Sequence, residues 1–137
     1  MTELRSIKDI IADLSKEIPD RHVLQRKQAG TLLDYIPWHT AVKYLDLYAP
    51  GWSYSIANIY EVGGMLVLVA KITIPCAEGS ISREATGFEE LPEPGKKKKM
   101  YGDPASNASS MALRRAAAHF GLGLYFYQKD RDQDHED

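Results

Sequence analysis

The chain has 137 residues, of which 44% are hydrophobic and 26% charged, and this length and composition predict one domain with a packed core. No apolar run approaches the ~18 residues of a membrane span, the amphipathic first residues lack the apolar centre of a secretion signal, and the single cysteine, Cys76, excludes an internal disulfide. The formal charge of −2 argues weakly against a nucleic-acid binder, but residues 130–137 alone hold five acids and one arginine. We therefore predict a domain over residues 1–129, with a net charge of +2, and an acidic disordered tail over residues 130–137.

The first fifty residues predict two helices separated by a short strand. Apolar residues at helical spacing predict a first helix from Glu3 to Glu17, which Pro19 ends. Residues 20–28 are predicted to be a polar connection, and TLLDYI is predicted to be a strand. A second helix is predicted to begin at Pro37. The buried face of this helix is predicted to carry Trp38, Ala41, Val42, Leu45 and Tyr48.

Three strand-like runs follow, and together they predict an antiparallel meander. GWSYSIANIYE alternates apolar and polar residues with a period of two. Trp52, Tyr54 and Ile56 are predicted to lie on one side of this strand, opposite Ser53, Ser55 and Ala57. The Gly63-Gly64 pair predicts a hairpin turn, MLVLVAKITI predicts a central strand, and SISREATGFEEL predicts a third strand with Arg83 exposed. Residues 91–102, which include four consecutive lysines, are predicted to be a mobile loop.

A long helix with clear ends is predicted after this loop. Asp103 suits the N-cap, Pro104 suits the first helical position, and Gly121 favours a stop. Met111 and Ala118 are predicted to lie in the middle of the outer arc. The predicted buried arc carries Ala112, Leu113, Ala116, Ala117 and Phe120.

The order of these elements predicts the fold class. After the long helix, LYFYQ is predicted to close the fold as a short strand or a packed extended segment. We predict an α+β fold, in which an antiparallel meander of three to four strands packs against a long C-terminal helix. The result is a β-β-β-α core with helices before the sheet, and the second face of the sheet is left open.

Arg114 and Arg115 are adjacent on the long helix and are the main chemical signal in the sequence. An adjacent arginine pair is usually a solvated face or part of a salt bridge. Here the neighbours are almost all alanine or serine, so nothing bulky shields the pair from an extended ligand. A planar guanidinium donates bidentately to phosphate and stays charged, so the pair predicts a contact with a nucleic-acid backbone. The basic residues on other elements that we expect to join the pair are Arg26, Lys27, Lys43, Lys96, Lys97, Lys98 and Lys99.

Enzymatic and cofactor chemistry finds no support in the sequence. No P-loop, HExxH, EF-hand or nucleophile-elbow motif occurs, so we predict a binding protein with no cofactor, no metal and no membrane partner. Aromatic residues interleave with the basic ones, as in grooves for single-stranded nucleic acid, although we assign most of them to the core. Two alternatives stay open. One is an oligomeric scaffold that binds protein through its open sheet face, with the arginines in subunit salt bridges; the other is a small cleft enzyme that uses His39 or Glu84.

Three blocks of the sequence, in this order, resemble the Rad52-like single-strand annealing proteins, especially their bacterial DdrA-like and phage branches. The blocks are AGTLLDYIPWHTAVKYLDLYAPGWSYSI, then MLVLVAKITI with GSISREATGFEE, then ASNASSMALRRAAAHFGLGLYFY. The resemblance runs from Pro19 to Tyr127 and so covers nearly the whole predicted domain. It implies binding of single-stranded DNA and ATP-independent annealing of complementary strands in DNA repair and recombination, by homo-oligomeric rings with a basic groove.

The resemblance also implies roles for individual residues. Arg114 and Arg115 match the two basic helix residues that hold the DNA backbone in the family's inner groove. His39 matches a position beside an inner-groove arginine, which is Thr40 here, and Ala118 replaces a third basic residue. The implied partners are single-stranded DNA, further copies of the chain and a single-strand-binding protein. The implied location is the cytoplasm of a bacterial or phage-infected cell.

Overall fold

The computed structural model describes residues 3–28, 30–92 and 103–128. Its elements are, in order, α1 (Ile7–Leu14), a 3-10 turn (Asp20–His22), β1 (Leu24–Gln28), β2 (Thr31–Tyr35), α2 (Trp38–Tyr48), β3 (Ser53–Val62), β4 (Met65–Cys76), β5 (Gly79–Glu90) and α3 (Pro104–Ala118). Residues 124–128 are also helical. The fold is of the predicted α+β class. The four predicted loop lysines and the predicted acidic tail lie outside the described residues, so the division of the chain after residue 129 stays a prediction.

The strands form two separate antiparallel sheets. β1 and β2 pair with each other as a two-stranded hairpin, while β3, β4 and β5 form a three-stranded meander with β4 in the centre. The turn between β3 and β4 holds Gly63 and Gly64 at positive φ angles of 55° and 76°, which glycine adopts without strain and which tight hairpin turns favour. The predicted hairpin and the predicted central strand are therefore confirmed.

Helix α3 lies across one face of the meander and begins as predicted. The side chain of Asp103 accepts a hydrogen bond from the Ala105 N–H at 3.1 Å, and Pro104 occupies the first helical turn, where its missing N–H leaves no hydrogen bond unmade. Ala108 and Ala112 pack in one buried cluster with residues of β4. The predicted inner arc is confirmed by the burial of Ala112, Leu113, Ala116, Ala117 and Phe120.

A glycine in β5 allows α3 to approach the sheet closely. A Cβ atom added to Gly87 would lie 1.9 Å from the carbonyl oxygen of Ala108 and 2.7 Å from the backbone nitrogen of Ala112. Both are backbone atoms of a helix, so neither can move aside as the end of a flexible side chain would. The helix backbone therefore rests directly on the strand at Gly87, and this contact sets the position of Arg114 and Arg115 relative to the sheet.

The two N-terminal helices complete the hydrophobic core. α1 and α2 contribute buried aliphatic residues to a single cluster with Phe120 of the chain after α3. Arg5 fastens α1 to α2, because it donates a hydrogen bond to the Tyr48 carbonyl oxygen at 2.9 Å and forms an ion pair with Asp13. The hydrogen bond from Arg5, together with that from Lys16, holds the pKa of Asp13 below its usual value.

Two predictions of local structure are wrong. The predicted polar connection of residues 20–28 contains β1, because Leu24–Gln28 pairs residue by residue with β2. The backbone ladder stabilises this strand in spite of its polar sequence, which periodicity cannot reveal. The LYFYQ segment is helical rather than extended. Gly121 and Gly123, at φ angles of 106° and 68°, turn the chain there, and the hydroxyl of Tyr125 accepts a hydrogen bond from the Ile18 N–H at 3.0 Å.

Several side chains also point differently from the prediction. Trp38 is 50% exposed instead of buried, because it is the first residue of α2 and lies at the margin of the core. Ala118 is buried rather than on the outer arc, since the chain beyond α3 folds back and brings Leu124 beside it. Arg83 is half-buried, and its guanidinium donates to the His119 carbonyl oxygen at the end of α3.

Replacing Gly87 by alanine is expected to destabilise the domain. The added methyl group must push α3 away from β5, and overpacking of this kind typically lowers the free energy of unfolding by about 1–3 kcal/mol. The measurement is chemical denaturation followed by circular dichroism. Ser55→Thr is the matched control, because it adds the same methyl group at an exposed position of β3 and is expected to change stability by less than about 0.5 kcal/mol. Equal stability of the two variants would contradict the close contact.

Candidate nucleic-acid interface

Four of the predicted basic residues meet at one cavity. This cavity, which we name the basic pocket, has a volume of about 380 Å3 and lies between the β1–β2 hairpin, α3 and residues 122–127. Arg26 and Lys27 reach it from β1, and Arg114 and Arg115 reach it from α3. The other residues that line it are Leu33, Asp34, Tyr35, Ile36, Ala41, Phe88, Met111, Ala117, Leu122, Gly123, Phe126 and Tyr127. Basic groups that are distant in the sequence therefore share one surface.

Each arginine of the basic pocket lies against an aromatic ring. The guanidinium carbons of Arg26 and Arg114 lie 5.5 Å and 5.3 Å from the centroid of the same ring, that of Tyr35. The guanidinium carbon of Arg115 lies 5.5 Å from the centroid of Phe88. A cation over a ring face is stabilised by about 0.5–2 kcal/mol, with the larger values at sites shielded from water. The rings therefore hold the guanidiniums in place without neutralising their charge.

Carboxylates compensate little of the charge in the basic pocket. Over residues 3–28, 30–92 and 103–128, the ion pairs join Arg5 and Lys16 to Asp13, and none involves a pocket arginine. Asp34 lines the pocket, but its carboxylate accepts a hydrogen bond from the side-chain amide of Gln25 at 3.0 Å. The guanidiniums of the pocket are thus left with donors for an external anion.

The protein environment disfavours the charge of Arg114. Burial lowers the pKa of this guanidinium, and the nearby Arg26 and Arg115 lower it further, whereas Tyr127 and Tyr35 oppose the decrease. Arginine nevertheless stays protonated at neutral pH, because its unperturbed pKa lies so far above 7. A phosphate entering the pocket would relieve the repulsion between these like charges. Binding of an anionic ligand would therefore stabilise the charged arginines more than binding of a neutral one.

Lys43 is the predicted basic residue in the described part of the chain that does not reach this pocket. Lys43 is exposed and lines a different cavity, together with Asp13 and Glu17. A DNA contact from Lys43 therefore stays a prediction, and the position of this side chain does not favour it. Lys96, Lys97, Lys98 and Lys99 lie outside the described residues, so their contacts also stay predictions.

The features behind the two alternative functions lie elsewhere on the domain. His39 and Glu84 are both exposed and neither lines the basic pocket. In the described part of the chain, no three histidine, cysteine, aspartate or glutamate residues are grouped to hold a metal ion. No helix in that part is long and apolar enough to cross a bilayer. The sheet face opposite α3 carries the exposed side chains of Tyr60 and Val62, so an exposed apolar surface that could bind protein is present there.

Comparison with known proteins identifies the family. The family model for Rad52/22 double-strand break repair proteins matches residues 6–137. The chain belongs to the Rad52/22 family. This Rad52/22 domain is 36% identical over 128 residues to the DNA repair RAD52-like protein 1, mitochondrial, of Arabidopsis thaliana. The aligned region covers 92% of the chain and 70% of that relative. It is 34% identical over 129 residues to the DNA repair RAD52-like protein 2, chloroplastic, of the same plant. Here the aligned region covers 91% of the chain and 62% of the relative.

Membership in the Rad52/22 family confirms the resemblance found in the sequence and supports a role in DNA repair, recombination and DNA binding. The narrower assignment to the DdrA-like or phage branch is not confirmed by these relatives. The predicted location in a bacterial or phage-infected cytoplasm is wrong, because the two relatives are plant proteins named as mitochondrial and chloroplastic. The error arose because the location was inferred from the bacterial DdrA-like and phage branches of the resemblance, whereas the two relatives are plant proteins.

Sequence reasoning missed the aromatic half of the basic pocket. Tyr35, Phe88 and Tyr127 line the basic pocket, yet most aromatic residues were assigned to the core. The missing information was the pairing of β1 with β2, which places Arg26 and Tyr35 on one face of a hairpin. A signal was available in the sequence, because a stretch rich in arginine, lysine and glutamine precedes TLLDYI, with only Ala29 and the turn residue Gly30 between them.

Arg114 is expected to contribute little to the stability of the fold. It has no carboxylate partner within the described ranges. Arg114→Met is therefore expected to change the free energy of unfolding by less than about 1 kcal/mol. The substitution removes the contact with the Tyr35 ring, but it also removes the repulsion from the neighbouring arginines, and the two effects offset each other. Arg5→Met is the matched control, because it removes both the Asp13 ion pair and the hydrogen bond to Tyr48, and we expect a clearly larger loss. Thermal unfolding of both variants measures the difference. A loss for Arg114→Met as large as that for Arg5→Met would mean that Arg114 serves the fold.

Proposed function

We propose that this domain binds the sugar-phosphate backbone of single-stranded DNA in the basic pocket and anneals complementary strands without ATP. The observation that carries the proposal is the convergence of Arg26, Lys27, Arg114 and Arg115 from two separate elements on one cavity. None of these arginines is paired with a carboxylate in the described part of the chain, so all three retain their full charge for an incoming phosphate. Family membership supports the same class of ligand.

The proposed mechanism separates holding the strand from reading its sequence. Contacts to phosphate fix the position of a strand and carry no sequence information. A strand held in this way keeps its base edges free, so a second strand can test them for pairing. Base stacking releases on average about 1.4 kcal/mol per step, which makes annealing of complementary strands favourable without nucleotide hydrolysis. The proposed activity therefore needs a positively charged surface and no catalytic residue.

We further propose that several copies assemble into a homo-oligomeric ring. One pocket of about 380 Å3 can contact only a short stretch of a strand, whereas annealing needs a longer strand to be kept extended. Copies arranged around a ring would join their basic pockets into one continuous groove. A single-strand-binding protein is a proposed further partner, since such proteins cover the strands that an annealing protein must receive.

Replacing both helix arginines is expected to abolish tight binding of single-stranded DNA. Each hydrogen bond from a charged group to phosphate is worth about 1.5–3 kcal/mol, so Arg114→Gln with Arg115→Gln should weaken binding by at least about a hundredfold. A mobility-shift titration with an oligothymidine measures the loss. The same titration at several salt concentrations should show a slope of log affinity against log salt that is shallower by about 0.7 for each phosphate that the variant no longer neutralises.

The control for this experiment removes the same charge from other surfaces. Lys8 is exposed on α1, and Lys71 lies on the sheet face opposite α3. Lys8→Gln with Lys71→Gln is expected to bind with nearly unchanged affinity and slope. Equal effects of the two double variants would show that net charge alone matters, and the proposed site would be wrong.

Annealing is expected to proceed without nucleotide and to require the basic pocket. Two complementary oligonucleotides, one with a fluorophore and one with a quencher, should pair faster with the wild-type protein than alone, in the absence of ATP and magnesium. The Arg114→Gln, Arg115→Gln variant should lose this acceleration while light scattering shows an unchanged oligomer. Loss of the oligomer in the variant would instead favour the scaffold alternative, in which the arginines form subunit salt bridges.

A further inference from the structure

Tyr35 has an unusual arrangement of neighbours, because two cations from different elements share its ring. Arg26 comes from β1 and Arg114 from α3, and their guanidinium carbons lie 5.5 Å and 5.3 Å from the same ring centroid. Tyr35 ends β2, next to the start of α2. In the pairing of β1 with β2, Leu24 is opposite Tyr35, and Arg26 is opposite Leu33. Since every second residue of a strand faces the same side, Arg26 and Tyr35 share one face of the hairpin.

Two like charges so close to one ring repel each other, and neither is paired with a carboxylate among the described residues. The face of an aromatic ring is negative and attracts a cation, which offsets part of this repulsion. Arginine side chains are long and otherwise sample many rotamers. Contact with the ring restricts these rotamers before a ligand arrives, so less conformational entropy is lost when phosphate binds.

We propose that Tyr35 is a positioning residue for DNA binding, whose ring holds Arg26 and Arg114 in the orientation that grips the strand's phosphates. The ring acts through the two arginines and makes no contact of its own with the bases. This inference rests on the proposed function. It extends the site from the arginine pair of α3 to a group shared by the hairpin and the helix, and it explains why β1 must pair with β2 for Arg26 to take part.

The test weakens the negative face of the ring while keeping its shape. Tyr35 is replaced by phenylalanine and then, by site-specific incorporation, by phenylalanine carrying one, two and three ring fluorines. Fluorine withdraws electron density from the ring face, so affinity for an oligothymidine should fall stepwise, by roughly fivefold to tenfold in total for two released side chains. The salt slope should stay constant along the series, because the number of phosphates bound is the same. Tyr35→Phe should bind like the wild type, since the ring is retained.

Coupling to the arginines separates positioning from other roles. In a background of Arg26→Gln with Arg114→Gln, the same fluorination series should have no further effect on affinity. A stepwise loss that persists in that background would mean that the ring contacts the DNA itself, and the positioning role would be wrong. Loss of binding in Tyr35→Phe would also overturn it, because the hydroxyl would then be the active group. Thermal unfolding of each variant checks that the fold is unchanged.

Parallel titration of the Arg114→Gln, Arg115→Gln variant keeps the two proposals apart. If that variant binds like the wild type, the proposed DNA site itself fails. If it loses binding while the fluorination series is flat in the otherwise unaltered protein, only the role of Tyr35 fails. A stepwise decrease that disappears without Arg26 and Arg114 supports the inference.

Discussion

The contact between α3 and β5 at Gly87 is the constraint on which the basic pocket depends. The Ala108 carbonyl lies where a side chain at position 87 would have to be, so the helix backbone sits on the strand with nothing between them. The alanines of α3 allow this approach along most of its length, since a bulkier residue would lift the helix. Arg115 can then reach past the edge of β5, where it donates to the Thr86 carbonyl oxygen at 3.2 Å. A packing feature therefore determines where the charged groups stand.

The charged side chains of the pocket illustrate a trade between stability and binding. Elsewhere in the domain, Arg5 is engaged by the Asp13 carboxylate and the Tyr48 carbonyl, and it serves the fold. Arg114, by contrast, is partly buried beside other cations, and its environment disfavours its charge. Rings and carbonyl groups orient such side chains but leave their charge free. An unfavourable local arrangement of this kind is characteristic of a site that a ligand completes.

Sequence reasoning predicted the fold class, the meander and the ends of α3, because each depends on local signals. Glycine pairs, N-cap residues and apolar periodicity act within a few residues of one another. The arginine pair was also accessible, since two charges among alanines stand out in any window. β1 was not predicted, because its polar residues form a strand only by pairing with β2. Its absence from the prediction left Arg26 and Lys27 without a location and hid the contact of Arg26 with the ring of Tyr35. The half-exposed Trp38 was missed for a related reason, since periodicity identifies an apolar face but not what covers it.

The separation of the two sheets has a consequence for what determines the width of the pocket. The β1–β2 hairpin forms one wall and shares no backbone ladder with the meander, whose helix forms the other wall. Contacts such as that of Arg114 with Tyr35 join the walls through side chains, and side chains rearrange far faster than a ladder separates. The position of one wall relative to the other is therefore set by side-chain packing and not by a continuous sheet. A substitution in those side chains can alter the width of the pocket while each sheet keeps its own backbone pairing.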